Sequence, residues 1–440
     1  MIRQLARLTV VTAAAIAANL AGGAASAQTT AIVGGTVHTV GQAGTIENAT
    51  IIIEDGIVTA VGNNVAAPSG ATVVNAAGKV VTPGLFTPYG QIGLEEVGFS
   101  AGPLDAVQRG DRFTAAFDIA DAYNPRSTLV AVNRIEGITR ALTAPQAAGA
   151  DGEGNGSHVI SGLAAVVNLG DGPVNIDKRS AALVVNLGEN GSGLAGESRA
   201  SPLLVLRDAL DEANDYRANK NAFERGQRRP YEHSVADLEA LQSVLTGDVP
   251  LLAGVERASD IEVLVRLTAE YGIRAIVVGG TEAWMVAEQL AAADIPVLMG
   301  PTANLPANFD RINARRDAAT LLVAAGVQVA FAGPQSHTHN ARNITQSAGN
   351  AVSEGLSWDD ALRAITLAPA EIYGLADRIG SIEAGKEADL VIWPDDPLEL
   401  TSFPEQVFIR GSSIPMISRQ TLLRDRYLQS EAGEPPAFRQ

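Results

Sequence analysis

The 440-residue sequence contains no cysteine, so disulfide staples and thiolate chemistry are both closed to it. Its stability must come from packing. Lysine is nearly missing, with only Lys79, Lys178, Lys220 and Lys386, and histidine occurs just five times. Positive charge is scarce overall, because 32 basic residues face 49 acidic ones for a formal net charge of −17. Nucleic acid and anionic membrane surfaces are poor partners for such a chain. No GxxxxGK(S/T) loop follows a β-rich run and no GxSxG elbow occurs, which removes P-loop and serine-nucleophile chemistry. Beyond the first 27 residues no apolar run is long enough to span a bilayer.

Those first residues form a class of their own. Arg3 and Arg7 precede an apolar run over 8–20, and small residues end in Ala25-Ser26-Ala27. The pattern is that of a secretory signal peptide over 1–27, with Asn19 and the glycines breaking the run too early for a membrane anchor. The expected destination is a bacterial periplasm.

Residues 31–82 alternate short β-rich runs with turn signals, among them Asp55-Gly56, and read as antiparallel strands. From Pro83 the texture changes. Ile261, Leu264, Val265 and Thr268 recur at helical spacing behind a candidate cap at Asp260, and an apolar run follows at 273–278. A helix over 283–293 then precedes 295–299, and a helix near 311–325 precedes 327–331. Such alternation indicates parallel βα units, and without a phosphate loop a closed barrel is favoured over a doubly wound sheet. After a capping-box start at Ser357-Trp358-Asp359-Asp360 and a helix through 370, the β texture returns at 380–393. We expect one small β domain made from 28–82 and 377–415, a barrel over 83–376, and a tail over 416–440. The highly charged stretch 207–230 reads as a solvated helical excursion.

Two stretches carry a family resemblance: GKVVTPGLFTPYGQIGLEE at 78–96, and ALRAITLAPAEIYGLADRIGSIEAGKEADLVIWPDDPLEL at 361–400. The second sets a helix, a glycine turn and a GKEADLVI strand in fixed order. The chain resembles the amidohydrolase superfamily, in its imidazolonepropionase-like secreted branch, over nearly all of its length after the signal. The resemblance implies an α/β fold, a (β/α)8 barrel with a small β-sandwich domain assembled from both ends of the chain. It also implies hydrolysis of non-peptide C–N bonds, amide or cyclic amide, by water on a metal at the C-terminal mouth of the barrel. Activating that water means drawing its pKa down to about 7, which takes several His or carboxylate ligands at once.

The family pattern implies His-x-His after the first barrel strand, one His after each of the fifth and sixth, and an Asp after the eighth. This sequence departs at every place. Tyr89 and Gln91 stand for His-x-His, with Thr87 where an Asp commonly precedes them. Gly254, with Glu256 nearby, stands at the fifth strand, Gly279 at the sixth, and Pro334 at the eighth. Neither a phenol nor an amide replaces imidazole. No lysine is placed for a carbamylated bridge, since Lys79 and Lys386 fall in the β domain, Lys220 in the excursion and Lys178 before a strand.

His38 reads as structural, His158 as a surface or ligand-gating residue in a loop, and His233 as exposed ahead of a helix over 234–245. His337 and His339 put two imidazoles on one face of an extended segment. With Glu256 and Glu282 they form a candidate rebuilt site, for which zinc is the metal to consider. Glu95 and Glu96 are a lesser acid/base candidate. Arg311, Arg315 and Arg316 suit a helix salt-bridge face or an anion clamp, and 418–427 a tail fastening or partner contact.

Three readings of function compete. The missing ligands favour a catalytically degenerate binding or partner subunit with no cofactor, in a homo-oligomer or beside an active homologue. An active hydrolase with a rebuilt mouth is the second. A periplasmic binding protein for small amide-type ligands is the third.

Overall fold

A computed structural model describes residues 29–96, 104–110, 112–147, 158–303, 305–332 and 338–428. The expected signal peptide, Pro334, His337 and the chain after 428 lie outside them.

The N-terminal part supplies β1 (Thr29–His38), β2 (Thr45–Glu54), β3 (Ile57–Gly62), β4 (Thr72–Asn75) and β5 (Val80–Pro83). Asp55 and Gly56 turn β2 into β3 with φ of 50° and 84°, the primed geometry that follows strand twist. A side chain at Gly56 would stand 2.7 Å from the Arg410 carbonyl, so the position also demands glycine for space. β1 pairs antiparallel with β2 but parallel with β4 and β5. The all-antiparallel expectation is thereby corrected: the chain after β3 crosses to the far side of β1, and only hairpin-linked neighbours must be antiparallel.

The barrel strands follow in spatial order: β6 (Leu85–Gly90), β7 (Ile138–Thr143), β8 (Ile160–Asn168), β9 (Ile176–Asn186), β10 (Leu251–Val255), β11 (Ala275–Gly279), β12 (Val297–Met299) and β13 (Val329–Phe331). Their sequences run apolar on both faces, as buried parallel strands do. Phe86, Leu142, Val184, Leu252, Ile276, Leu298 and Ala330 fill the barrel's interior. Leu85, Ala141, Val185, Ala253, Val277, Val297 and Val329 face the surrounding helices instead. β8 departs from the expected eight parallel strands. It pairs antiparallel with both β7 and β9, so the barrel is nearly closed with one strand reversed. Lys178, read as preceding a strand, lies within β9, where its ammonium donates to the Tyr373 carbonyl at 2.8 Å.

β14 (Leu390–Trp393), β15 (Gln406–Ile409) and β16 (Ser412–Ser413) return to the first sheet, β14 pairing antiparallel with β5. The result is the expected small β domain from both ends of the chain, hydrogen-bonded as one connected eight-stranded sheet. It curls round a core of Ile32, Ile51, Ile53, Val81, Leu390 and Phe408. Val58 N–H to Lys386 O (2.9 Å) and Ala388 N–H to Gly56 O (2.8 Å) close its far edge.

Elsewhere Ser357 caps helix Trp358–Ala364 through the Asp360 N–H, as its sequence demands. The charged excursion is helix Ser201–Glu224, which buries Leu206, Ala209, Leu210, Ala213 and Tyr216. The expected helix near 311–325 is replaced by a 3-10 turn at Phe309–Arg311 and the short helix Ala318–Ala324. There the Trp284 indole N–H takes the Asn313 carbonyl at 3.0 Å, an acceptor that a continuous helix would need for itself. Arg311, Arg315 and Arg316 therefore share no helix face, and they pair with Glu256, Asp317 and Glu354.

One ionic cluster joins sheet to barrel. The Arg140 side chain of β7, 1% exposed, meets Asp177 of β9 at 2.6 Å, Glu387 at 2.6 Å and Asp389 at 2.7 Å. Arg410 bridges Asp177 and Glu387 from beyond β15, and Arg378 also reaches Glu387. Burial pushes the Asp389 carboxyl up to about 6, against the pull of Arg140 and the Arg410 N–H. Arg140→Leu leaves buried carboxylates uncompensated and should cost about 3–5 kcal/mol in urea unfolding, whereas Lys79→Ala at the exposed Lys79–Glu405 pair should cost at most about 1 kcal/mol. Asp389 also sets a pH dependence. A raised folded-state pKa adds stability below the unfolded value of 3.8 that is lost as pH rises to about 6. Across that window Asp389→Asn should gain stability with rising pH more steeply than the parent, measured as urea midpoints at fixed ionic strength.

Candidate functional site

Strand ends β6, β10 and β11 converge at the C-terminal mouth, where the family chemistry would sit. Thr87, at the end of β6, is fully buried and its hydroxyl finds no hydrogen-bond partner. Tyr89 turns its ring onto the interior cluster, and burial pushes its phenol up. Tyr373 enters the same interior from the other side and donates to the Pro88 carbonyl at 2.7 Å. Burial, with Tyr89 close by, holds its phenol well above the usual range. The first-strand corner is thus an apolar plug, with Gln91 following at its rim.

Gly254 lies within β10, and a side chain there would meet only the Val185 carbonyl, at 3.9 Å. Gly279 ends β11 at φ 92°, and its missing Cβ would stand 2.7 Å from Glu256 Oε1. The volume a ligand at 279 would use is thus held by Glu256. That carboxylate has a full set of partners: Arg311 Nη2 donates to Oε1 at 2.6 Å, and Thr281 donates to Oε2 through its hydroxyl at 2.6 Å and its N–H at 3.0 Å. The two candidate acids are brought together only through the backbone, where the Glu282 N–H donates to the Glu256 carbonyl at 2.9 Å. Glu282, 6% exposed, instead accepts from Ala258 N–H at 3.0 Å and Asn313 Nδ2 at 2.8 Å. It thereby satisfies a leading N–H of helix Ala258–Tyr271. The expected cap, Asp260, lies inside that helix and pairs with Arg199 at 2.6 Å.

His339 lies in the 3-10 turn Thr338–Asn343, and neighbouring Thr338 donates to Glu95 Oε2 at 2.7 Å. Glu96 accepts from the Thr128 N–H at 3.0 Å at the start of helix Thr128–Arg134 and from Asn124 at 2.9 Å, so the adjacent pair has divergent structural partners. His38 bonds Thr45 at 2.8 Å and packs against the Trp358 ring at a tilt of 45°. His233, expected in solvent, is half-buried against Glu212 at 3.0 Å. Segment 418–427 forms helix Arg419–Leu428, against helix Thr128–Arg134.

Among the described residues no three His, Cys, Asp or Glu side chains gather as a metal would require, and Glu256 could serve only by losing Arg311. What the geometry offers is a narrow cleft lined by Glu256, Gly279, Thr281, Met299, Gly300 and Arg311. Within it Glu256 is paired with Arg311 and Thr281.

Comparison with known proteins agrees with the fold. The amidohydrolase family model matches residues 209–414. An amidohydrolase of Thermotoga maritima superposes with a TM-score of 0.78 at 27% identity, over 89% of this chain and 100% of that one. Amidohydrolase tasK of Hapsidospora irregularis is 25% identical over 395 residues, which is 82% of this chain and 39% of tasK. An imidazolonepropionase of Erwinia tasmaniensis is 43% identical over 61 residues, 14% of each chain. The matches therefore span well under two thirds of the curated relatives' own lengths. This chain belongs to the amidohydrolase superfamily.

Gly279→Ala tests the packing at the mouth. Positive φ and the Glu256 contact should together cost about 1–3 kcal/mol. In a Glu256→Ala background the cost should fall to about 1 kcal/mol, the backbone part alone, and thermal or urea unfolding of the four chains reads the difference.

Proposed function

We propose that this protein is a binding or partner member of the amidohydrolase superfamily, secreted to the periplasm, that holds a small amide-type ligand and does not hydrolyse it. The family reaction is metal-dependent hydrolysis of non-peptide C–N bonds. One observation carries the departure from it: the Glu256 carboxylate fills the volume at position 279, and the guanidinium of Arg311 supplies its counter-charge. An ion would have to displace a cation already covalently part of the chain. Gln91, at the rim, remains able to offer an amide to a bound molecule in place of imidazole. Association with itself or with an active homologue belongs to the same proposal.

A second reading is an active hydrolase rebuilt around Glu256, Glu282, His337 and His339, with zinc as its metal. The backbone link between Glu256 and Glu282 favours it. Elemental analysis of the full chain after zinc loading and desalting separates the two, run beside hydrolysis assays on N-acyl amino acids, lactams and hydantoins. We expect zinc below about 0.1 equivalent and no turnover. Retention of about one equivalent, lost together with activity in a His337→Ala/His339→Ala variant, would establish the second reading.

A further inference from the structure

A second cleft, separate from the mouth residues above, opens between the start of β8 and helix Ser201–Glu224, with space of about 350 Å³. That is the size of a small-molecule site. One wall is aliphatic, made by Val159, Ile160, Leu194 and Val205. The other carries Arg112 and Glu232, which have no ion-pair partner among the described residues. Val205 is 41% exposed, so the aliphatic wall meets solvent where a ligand would cover it.

Two carboxylates fix the segments that bear these charges. Asp237, 2% exposed, accepts from the N–H groups of Thr114 (2.9 Å) and Ala116 (2.8 Å) and from the Ser234 hydroxyl (2.7 Å). It ties the Arg112 segment to the segment that carries Glu232. Glu212 accepts the N–H groups of Glu232 and His233, each at 3.0 Å, and the His233 ring through Nδ1 at 3.0 Å. Burial would lift the Glu212 carboxyl, and these three donors outweigh it and hold it below its ordinary value. Both clamps spend their oxygens on the protein, so Arg112 and Glu232 are the charges left for a ligand. The backbone that carries them is thereby set before binding, which reduces the ordering cost to that of the two side chains.

We propose that this cleft binds a small zwitterion with an aliphatic side chain, an amino acid or short peptide, its carboxylate on Arg112 and its ammonium on Glu232. A simple anion would leave Glu232 repelling it, and a simple cation would leave Arg112 doing so. His233, whose Nδ1 is bonded to Glu212, also lines the cleft and adds a hydrogen-bonding group there. The cleft shares no lining residue with the narrow cleft at Glu256.

Calorimetric titration of the full chain with alanyl-leucine, N-acetyl-alanyl-leucine and alanyl-leucine amide tests the assignment. Alanyl-leucine should bind at one site, and each blocked form about fivefold more weakly, since the charges concerned are exposed at the rim. Arg112→Gln should abolish discrimination against the amide alone, and Glu232→Gln discrimination against the acetyl form alone. Both residues lie at the surface, so the variants keep the fold. Absence of saturable binding by alanyl-leucine, or discrimination unchanged in both variants, overturns the proposal.

Discussion

The buried guanidinium of Arg140 is the constraint on which the two parts of this molecule depend. It leaves β7 with the same inward parity as Leu142 and meets one carboxylate from β9 and two from the approach to β14. A charge so far from water is tolerated only where its partners are complete. Asp177, Glu387 and Asp389 are held in turn by Arg410 and Arg378, so sheet and barrel cannot part without stranding several charges together. The backbone bond from Gly84 N–H to Asp389 O at 2.8 Å runs through the same place. The first barrel strand therefore starts from a point fixed by residues more than half a chain away.

At the other end of the barrel a similar principle has a different result. Glu256 also makes a complete set of bonds, but with Arg311 and Thr281 near the surface of a narrow cleft. Glycine at 279 and carboxylate at 256 are one substitution in physical terms, because each makes room for or fills the space of the other. The barrel interior beneath them is apolar, with Tyr89 and Tyr373 completing it from two sides. The ends of β10 and β11 meet there in a polar contact closed by Arg311. Fold alone does not determine chemistry.

Much of the architecture was legible in the letters. Asp55-Gly56 announced its hairpin because two successive positive φ values suit few other pairs, and Ser357 announced its helix because its hydroxyl has one natural donor at Asp360. The reversal of β8 was not legible, since a strand buried on both faces reads alike in either direction. Nor was the partner of Glu256: Arg311 lies 55 residues away in a turn, and nothing local marks it. The same holds for Glu282, whose service to Ala258 depends on two strand ends lying side by side. Asp260 was a reasonable cap by pattern, but a carboxylate from a neighbouring strand reached the helix first. His233 looked exposed because its partner, Glu212, lies on a helix 21 residues earlier.

The reversed strand has a consequence for how the chain reaches this shape. β8 pairs with the strands immediately before and after it in sequence, so the contacts of the β7–β8–β9 meander are local and demand little ordering entropy beforehand. Closing β13 against β6 instead requires the whole barrel sequence to be gathered first. The reversed strand thus gives one side of the ring its own local closure, while the seam beside β6 joins the two sequence extremes of the barrel.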